Sequence, residues 1–336
     1  MKPIVGSRSV GESSQSWLWG RRASAGVDRL RQHLWVGAER EYVELYLGSD
    51  RSRADYSLGV PGLGGGRETF GDGLNNQQAL WRRSRGWRCI RLFFERWRGC
   101  GAGVLTHVPC AWISFDDVAR CSHTLEESVW LRPSLVVGLS REFQLLGRVH
   151  IDRDRDLAIC EEVLAVCDQD SAQLALDLIR EIDRVALTWP ITYFSVMLGR
   201  TPVEGKFNVL MTVSGFCEAV QCWGLGSIAA DLSRLLLIVA GGGSRWVRAD
   251  VLLGANSHRR LGVELLTRGS DRSVTRRKQI VERALRCGLC SPEDIQRANY
   301  WAGRGSDASA DWYLKLTAGL GEGISVKMYF GQRVSS

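Results

Sequence analysis

No segment of this chain is apolar for long enough to cross a bilayer. The longest apolar run, Leu235–Ala240, falls far short of the roughly 20 residues a spanning helix needs, and Asp231 and Arg234 precede it. Residues Met1–Ser16 are polar and hold no apolar stretch of the kind a secretory signal requires. A chain that is not exported keeps its thiols reduced, so the ten cysteines are read as free and the protein is expected in the cytoplasm. Nucleotide-binding signatures are missing too. The glycine-rich stretches Gly62–Gly66 and Gly241–Gly243 carry neither the Lys-Ser/Thr of a phosphate loop nor the spacing and following acid of a dinucleotide fold.

Metal motifs are equally sparse. Cys287-x-x-Cys290 has no second pair, and the nearest histidine, His258, is remote in sequence, so a zinc site lacks two ligands. The run His150-Ile151-Asp152-Arg153-Asp154-Arg155-Asp156 alternates in sign, with an arginine beside each aspartate, and reads as a solvated loop. It also lacks an Asp-Asp-x-x-Asp metal motif. No self-sufficient catalytic motif stands anywhere in the sequence.

What is present describes a globular protein. Of 336 residues, 45% are hydrophobic and 24% charged, enough for a sizeable core without covalent staples. The net charge of +7 is concentrated before residue 100, where Arg82, Arg83, Arg85, Arg88, Arg91, Arg96 and Arg98 recur. Such a balance favours anionic partners, whether phosphates, nucleic acid or acidic peptides.

The chain reads as one α+β domain over residues 26–331, between an irregular stretch over 1–25 and a short tail over 332–336. Glu41–Gly48 alternates as a strand, with Val43, Leu45 and Leu47 on one face. Gly59–Gly73 reads as a flexible loop. Within Asn75–Trp97, Ile90, Phe93, Phe94 and Trp97 fall on one face of a helix and arginines on the other. Val104–Phe115 and Pro133–Leu139 read as strands, and Ser171–Leu187 as a helix behind the N-cap Ser171.

From there a unit recurs. Hairpins are expected over Ile191–Val213, Trp246–Thr267 and Trp312–Gly331. Helices lie between them over Phe216–Val239, broken near Gly224–Gly226, and over Val274–Arg286, with another starting at Ser291-Pro292-Glu293. The hairpins repeat every 55–65 residues or about that, longer than the roughly 20–50 of solenoids. Antiparallel hairpins leave exposed edges unless they join side by side, and a closed barrel of about ten strands with helices outside encloses a ligand cavity.

Several residues on these strands are chemically suggestive. Lys327 and Tyr329 are two apart on the last strand and share a face, which is either the lumen or a solvated exterior. Lys315 lies on the partner strand and points into a polar cavity or into water. Arg200 and Lys206 flank a hairpin turn, and Arg248 lies on the next hairpin. Asp116, Asp250 and Glu264 are acids on or beside strands. Glu264 sits among apolar neighbours, where a carboxylate can orient a nucleophile or accept its proton. Asp116 is either such an acceptor or a turn residue. Trp112, Trp189, Trp246 and Trp312 can wall a cation or simply fill the core.

Helix–hairpin–helix units, a chain of this length and a last hairpin carrying Lys327-Met328-Tyr329 together resemble the ABBA prenyltransferases, enzymes of natural-product biosynthesis. The resemblance spans roughly residues 104–331 and is mainly topological. It implies an antiparallel β-barrel that holds an isoprenoid diphosphate against Lys, Arg and Tyr side chains. It implies transfer of the prenyl group to an aromatic or peptide acceptor, with Mg²⁺ permitted and not required. The diphosphate would meet Lys327, Tyr329, Lys315, Arg248, Arg200 and Lys206, and the catalytic carboxylates would be Glu264 and Asp116. The family's earlier Lys-x-Tyr strands have no clean match: Gly199-Arg200 with Lys206-Phe207, and Arg248-Ala249-Asp250, stand in their place.

A second reading is a non-enzymatic protein that binds a peptide or small molecule in the same barrel, or nucleic acid on the Arg82–Arg98 helix. The apolar period of that helix argues for core burial, so nucleic acid is the less expected partner.

Overall fold

The computed structural model describes residues 16–34, 37–47, 54–63, 65–75, 84–99, 101, 103–118, 132–139, 152–167, 177, 189–200, 203–222, 226–241, 246–253, 260–266, 274–297, 311–319 and 323–333. Ten antiparallel strands form a closed barrel. They are β1 (Arg40–Tyr46), β2 (Ala54–Pro61), β3 (Cys110–Asp116), β4 (Arg132–Gly138), β5 (Ile191–Met197), β6 (Glu204–Thr212), β7 (Trp246–Leu253), β8 (Arg260–Leu266), β9 (Asp311–Gly319) and β10 (Gly323–Arg333). Each strand pairs with the next in sequence, and β1 closes the circle on β10, from Arg40↔Arg333 to Tyr46↔Lys327. Closure leaves none of these strands as an open edge.

Outside the barrel lie helices α1 (Ser16–Leu34), α2 (Gly66–Asn75), α3 (Arg85–Gly99), α4 (Arg153–Val166), α5 (Val213–Cys222), α6 (Gly226–Ala240) and α7 (Val274–Arg286). The side-chain alternation of the strands explains the layering. On β1, Val43 and Leu45 point outward and are buried under helices, while Tyr42, Glu44 and Tyr46 point into the barrel. On β3, Ala111, Ile113 and Phe115 are the outward set, and Trp112, Ser114 and Asp116 the inward one. The hydrophobic core therefore lies between barrel and helices, and the lumen is left to polar groups.

Helix α3 shows how the outer layer packs. Ile90, Phe93, Phe94 and Trp97 are buried, as their spacing predicts. Phe94 meets Phe70 of α2 at 4.9 Å, and Trp87 meets Phe115 of β3 at 5.6 Å between centroids. The arginines on the other face bridge to acids: Arg91 to Glu95 at 3.1 Å, Arg96 to Glu162 at 2.7 Å and Arg98 to Asp72 at 2.8 Å. Much of the basic charge of this helix is thus answered within the protein.

The structure departs from several sequence expectations. The Gly-rich stretch from Gly59 is not a loop throughout: it contains the end of β2 and most of α2. Residues Val104–His107 form a 3-10 turn before β3 instead of the first part of one strand. The alternating Asp/Arg run is the start of α4, where Asp152 caps the helix by accepting from the Arg155 N–H at 3.1 Å. Its early acids suit a helix N-terminus, a local electrostatic gain that sign alternation conceals. Part of the stretch expected to be irregular over 1–25 belongs to α1, while residues 1–15 and the helix expected over Ser171–Leu187 lie outside the described residues, apart from Asp177. The three C-terminal hairpins and α7 fall where expected. Ser291 starts the next helical turn by accepting from the Asp294 N–H at 3.2 Å while its own N–H donates to the Asp294 carboxylate at 2.9 Å.

One buried ion pair fastens α1 to the barrel. Arg31 donates to both carboxylate oxygens of Glu41, at 2.6 and 2.9 Å, and the Tyr56 hydroxyl donates to the same group. Glu41 is only 1% exposed, so losing its partner strands a buried charge. Arg31→Ala is expected to lower the unfolding free energy by about 3 kcal/mol in urea titrations, far more than Arg91→Ala on the surface of α3.

Candidate active site

Strand geometry brings charges from opposite ends of the chain into the lumen. Lys327 of β10 lies beside Tyr46 of β1 and Lys315 of β9 in the strand register. Lys315 is in turn opposite Glu264 of β8, and Glu264 opposite Arg248 of β7. Inward-facing residues on neighbouring strands thus form a continuous row of charged side chains.

Each cation of that row has carboxylates beside it. Lys327 Nζ donates to Asp55 Oδ2 at 2.6 Å and lies 3.6 Å from Glu44 Oε2. Asp55 also accepts from the Tyr46 hydroxyl at 3.1 Å and from the Asp117 N–H at 2.8 Å. Asp117 reaches it by adopting φ 52°, a left-handed conformation that Asp tolerates. Lys315 bridges Asp250 and Glu264, the latter at 3.2 Å. Asp250 further accepts from Asn208 and, at 3.4 Å, from Lys206. Arg248 Nη1 stands 3.3 Å from Glu264 Oε2.

Burial sets these groups' proton affinities, and their neighbours then divide them. Burial penalises the Asp250 carboxylate, but Lys206 and Lys315 overcome that and hold its pKa at about 2. Burial also works against the Lys315 and Lys327 ammonium groups, yet Asp250 and Glu264 keep the first above its ordinary value, and Asp55 and Glu44 the second. For Lys206 burial wins and the pKa is lowered. Glu44 goes the opposite way from Asp250: burial, only partly offset by Lys327, pushes it up to about 7.

Aromatic rings complete the lumen. Tyr313 stacks on Tyr329 at 4.2 Å and 14°, and Tyr42 touches both Trp112, at 5.1 Å, and Tyr313, at 5.9 Å. Arg248 sits over Tyr193 at 4.9 Å and Lys327 over Tyr46 at 4.2 Å. Two glycines make room for these rings. A Cβ on Gly331 would lie 2.2 Å from Tyr42, and one on Gly59 would lie 2.5 Å from Trp112. Between β2 and β3 the inward hydroxyls of Ser57 and Ser114 lie 2.8 Å apart.

Of the residues singled out from sequence, Lys327, Tyr329, Lys315, Arg248, Lys206 and Glu264 converge on the lumen. Arg200 does not join them: it lies at the β5–β6 turn, paired with Glu204 and 3.8 Å from Asp116. Asp116 marks the same end of the barrel, and burial raises its pKa. Trp112 is the wall tryptophan that the lumen uses, whereas Trp189 packs over Gly215 of α5. The side chain of Trp312 lies outside the described ones. Cys290 is a buried core thiol whose Sγ donates to the Val281 carbonyl at 3.8 Å. No group of three or more His, Cys, Asp or Glu among the described residues is arranged to hold a metal ion.

Sequence reasoning missed Glu44 and Asp55 altogether and named Asp250 without its partners. The available signal was the alternation Tyr42-x-Glu44-x-Tyr46, which puts a carboxylate between two tyrosines on the face opposite Val43 and Leu45.

No protein-family model and no curated protein matches the chain. Solved structures do. The chain is similar to 5-dimethylallyltryptophan synthase from Streptomyces coelicolor, with a TM-score of 0.54 and 12% identity over 94% of this chain and 95% of that one. It is similar to the prenyltransferase PriB in its apo form, with a TM-score of 0.54 and 12% identity over 87% and 79%. AnaPT from Neosartorya fischeri gives 0.52 and 12% over 89% and 80%. The barrel is thus the ABBA prenyltransferase barrel, a likeness of fold at distant sequence.

Asp250, held below its ordinary 3.8, contributes stability above about pH 4 that is lost as pH falls toward 2, on the order of 2 kcal/mol. Glu44, raised above its ordinary 4.5, weakens the folded state as pH rises through about 7. Urea titrations of the wild type, Asp250→Asn and Glu44→Gln across pH 3–8 should separate the acid limb from the neutral one. Gly331→Ala should displace Tyr42 and cost about 1–3 kcal/mol of stability by overpacking, read in the same titrations.

Proposed function

We propose that the protein transfers a prenyl group from an allylic diphosphate to an aromatic acceptor inside the barrel, a peptide-borne aromatic side chain included. The observation that carries this reading is the convergence of Lys206, Arg248, Lys315 and Lys327 with Tyr193, Tyr313 and Tyr329 in one closed lumen. The likeness of fold supports it. PriB is known in a ternary complex with L-tryptophan and dimethylallyl thiolodiphosphate.

The chemistry needs three services. The lysines and Arg248 hold the diphosphate and stabilise the charge it gains as the allylic C–O bond breaks. The tyrosine faces stabilise the allylic cation left behind, and the covered barrel keeps water from it. The acceptor's aromatic carbon then attacks the cation, and the proton released from that carbon goes to a carboxylate. Glu264 suits that role by position, because its carboxylate lies in the lumen between Lys315 and Arg248. Asp116 and Arg200 stand at the hairpin end, where they would orient the entering ligand. Transfer in this form uses no cofactor, and Mg²⁺ would act only as a counter-ion to the diphosphate.

Calorimetric titration of dimethylallyl, geranyl and farnesyl diphosphate tests the reading. Micromolar binding of at least one is expected. Lys327→Ala should weaken it about tenfold or more, the loss of one charge-assisted hydrogen bond. Absence of binding to all three would remove the transferase and favour a barrel that binds an uncharged ligand.

A further inference from the structure

The lumen is already electrically occupied. Four cations, Lys206, Arg248, Lys315 and Lys327, face four carboxylates, Glu44, Asp55, Asp250 and Glu264, among the described residues. A prenyl diphosphate is a multiply charged anion. Placed here, it would add negative charge to a low-dielectric space whose cations are already compensated. The carboxylates are fixed to strands and cannot leave. Without a metal counter-ion, the way left to make room for the anion is to neutralise one of them with a proton.

We propose that the lumen admits a diphosphate together with a proton, and that Glu44 is the residue that takes it up. This rests on the reading of the lumen as a prenyl diphosphate site. The geometry singles out Glu44 by the weakness of its compensation. Asp55 accepts from Lys327, Tyr46 and the Asp117 N–H, and Asp250 from Asn208, Lys206 and Lys315. Glu264 has Lys315 and Arg248. Glu44 accepts from the Tyr329 hydroxyl but meets its cation at 3.6 Å, and that cation is shared with Asp55 at 2.6 Å.

The surroundings of Glu44 work in one direction when the anion arrives. Lys327 and Tyr329 of β10, Asp55 of β2 and Lys315 of β9 face it, and Tyr42 and Tyr46 flank it on β1. Burial already raises its pKa to about 7, with Asp55 adding to the rise and Lys327, Lys315 and the Tyr329 hydroxyl opposing it. A diphosphate that engages Lys327 and Lys315 offsets both opposing charges with negative charge of its own. Glu44 then holds its proton through neutral pH. As a carboxylic acid it changes from a competitor for Lys327 into a donor, its O–H directed to a phosphate oxygen.

The balance is simple: one proton from solvent is bound by the Glu44 carboxylate, and no covalent bond to the ligand forms or breaks. The ligand itself, meeting lysines, tends to lose protons, so net uptake has to come from the protein. Glu44 is thus a positioning residue of the diphosphate site, with no part in the transfer step.

The test is calorimetric titration of geranyl diphosphate into the full chain at pH 7.5 in two buffers of different ionisation enthalpy, Pipes and Tris. The difference in heat should correspond to net uptake of at least about half a proton per diphosphate, and affinity should be about three- to tenfold tighter at pH 7 than at pH 8. Glu44→Gln, with folding checked by near-ultraviolet circular dichroism, should lose most of the uptake and bind more tightly than wild type at pH 8. Equal heats in the two buffers, or net proton release, would overturn the proposal while leaving the diphosphate site in place. Undiminished uptake in Glu44→Gln would overturn the assignment to Glu44. Failure of dimethylallyl, geranyl and farnesyl diphosphate alike to bind at any pH would remove the diphosphate site and this proposal with it. The wild-type comparison stands by itself if the variant does not fold.

Discussion

A lysine inside a closed barrel needs a carboxylate within reach, and the rest of this lumen follows from that need. Lys315 and Lys327 point inward from adjacent strands, 6% and about a fifth exposed at most, where neither could stay charged alone. Asp250 and Glu264 answer the first, Asp55 and Glu44 the second. These pairs cross strands, and because Lys327 and Asp55 are 272 residues apart, that half of the lumen's charge balance exists only once the barrel has closed. The β1–β10 seam does the closing, and it is the same seam that brings Lys327 to Glu44.

The barrel turns the usual layering inside out. Apolar side chains face outward under a coat of helices, where Ile113, Phe115, Phe93 and Trp97 form a dry core. Polar and aromatic side chains face inward. A core of that kind can hold the strands rigid while the lumen remains chemically specialised, because the two faces of each strand serve different ends. The small inward residues matter as much as the large ones. Gly59 and Gly331 let Trp112 and Tyr42 lie against the wall.

The fold was more legible than the site. Hairpins over β5–β6, β7–β8 and β9–β10 carry plain alternation and glycine-bearing turns, and periodic helices separate them, so the barrel could be reasoned out from local pattern. The N-terminal part was harder. Glycines in and after β2 disguised a strand end and a helix as a loop, since Gly59 is there to fit a tryptophan and not to turn the chain. The cationic side of the lumen was readable because Lys315, Lys327 and Arg248 interrupt apolar strands. Their carboxylate partners were not, because the pairing of Lys327 with Asp55 depends on a register 272 residues apart that no local pattern encodes. A site reasoned from cations alone looks like an empty anion hole, and the structure shows a compensated one.

That compensation makes the central claim directly visible to crystallography. The measurement is a crystal structure of the protein soaked near neutral pH with dimethylallyl thiolodiphosphate, which resists ionisation. The account predicts the diphosphate in the lumen between Lys315 and Lys327, the dimethylallyl group against Tyr313 and Tyr329, and Glu44 within hydrogen-bonding distance of a phosphate oxygen. A lumen that stays free of ligand, with the lysine–carboxylate pairs intact and the analogue bound on the outer surface or nowhere, would contradict it.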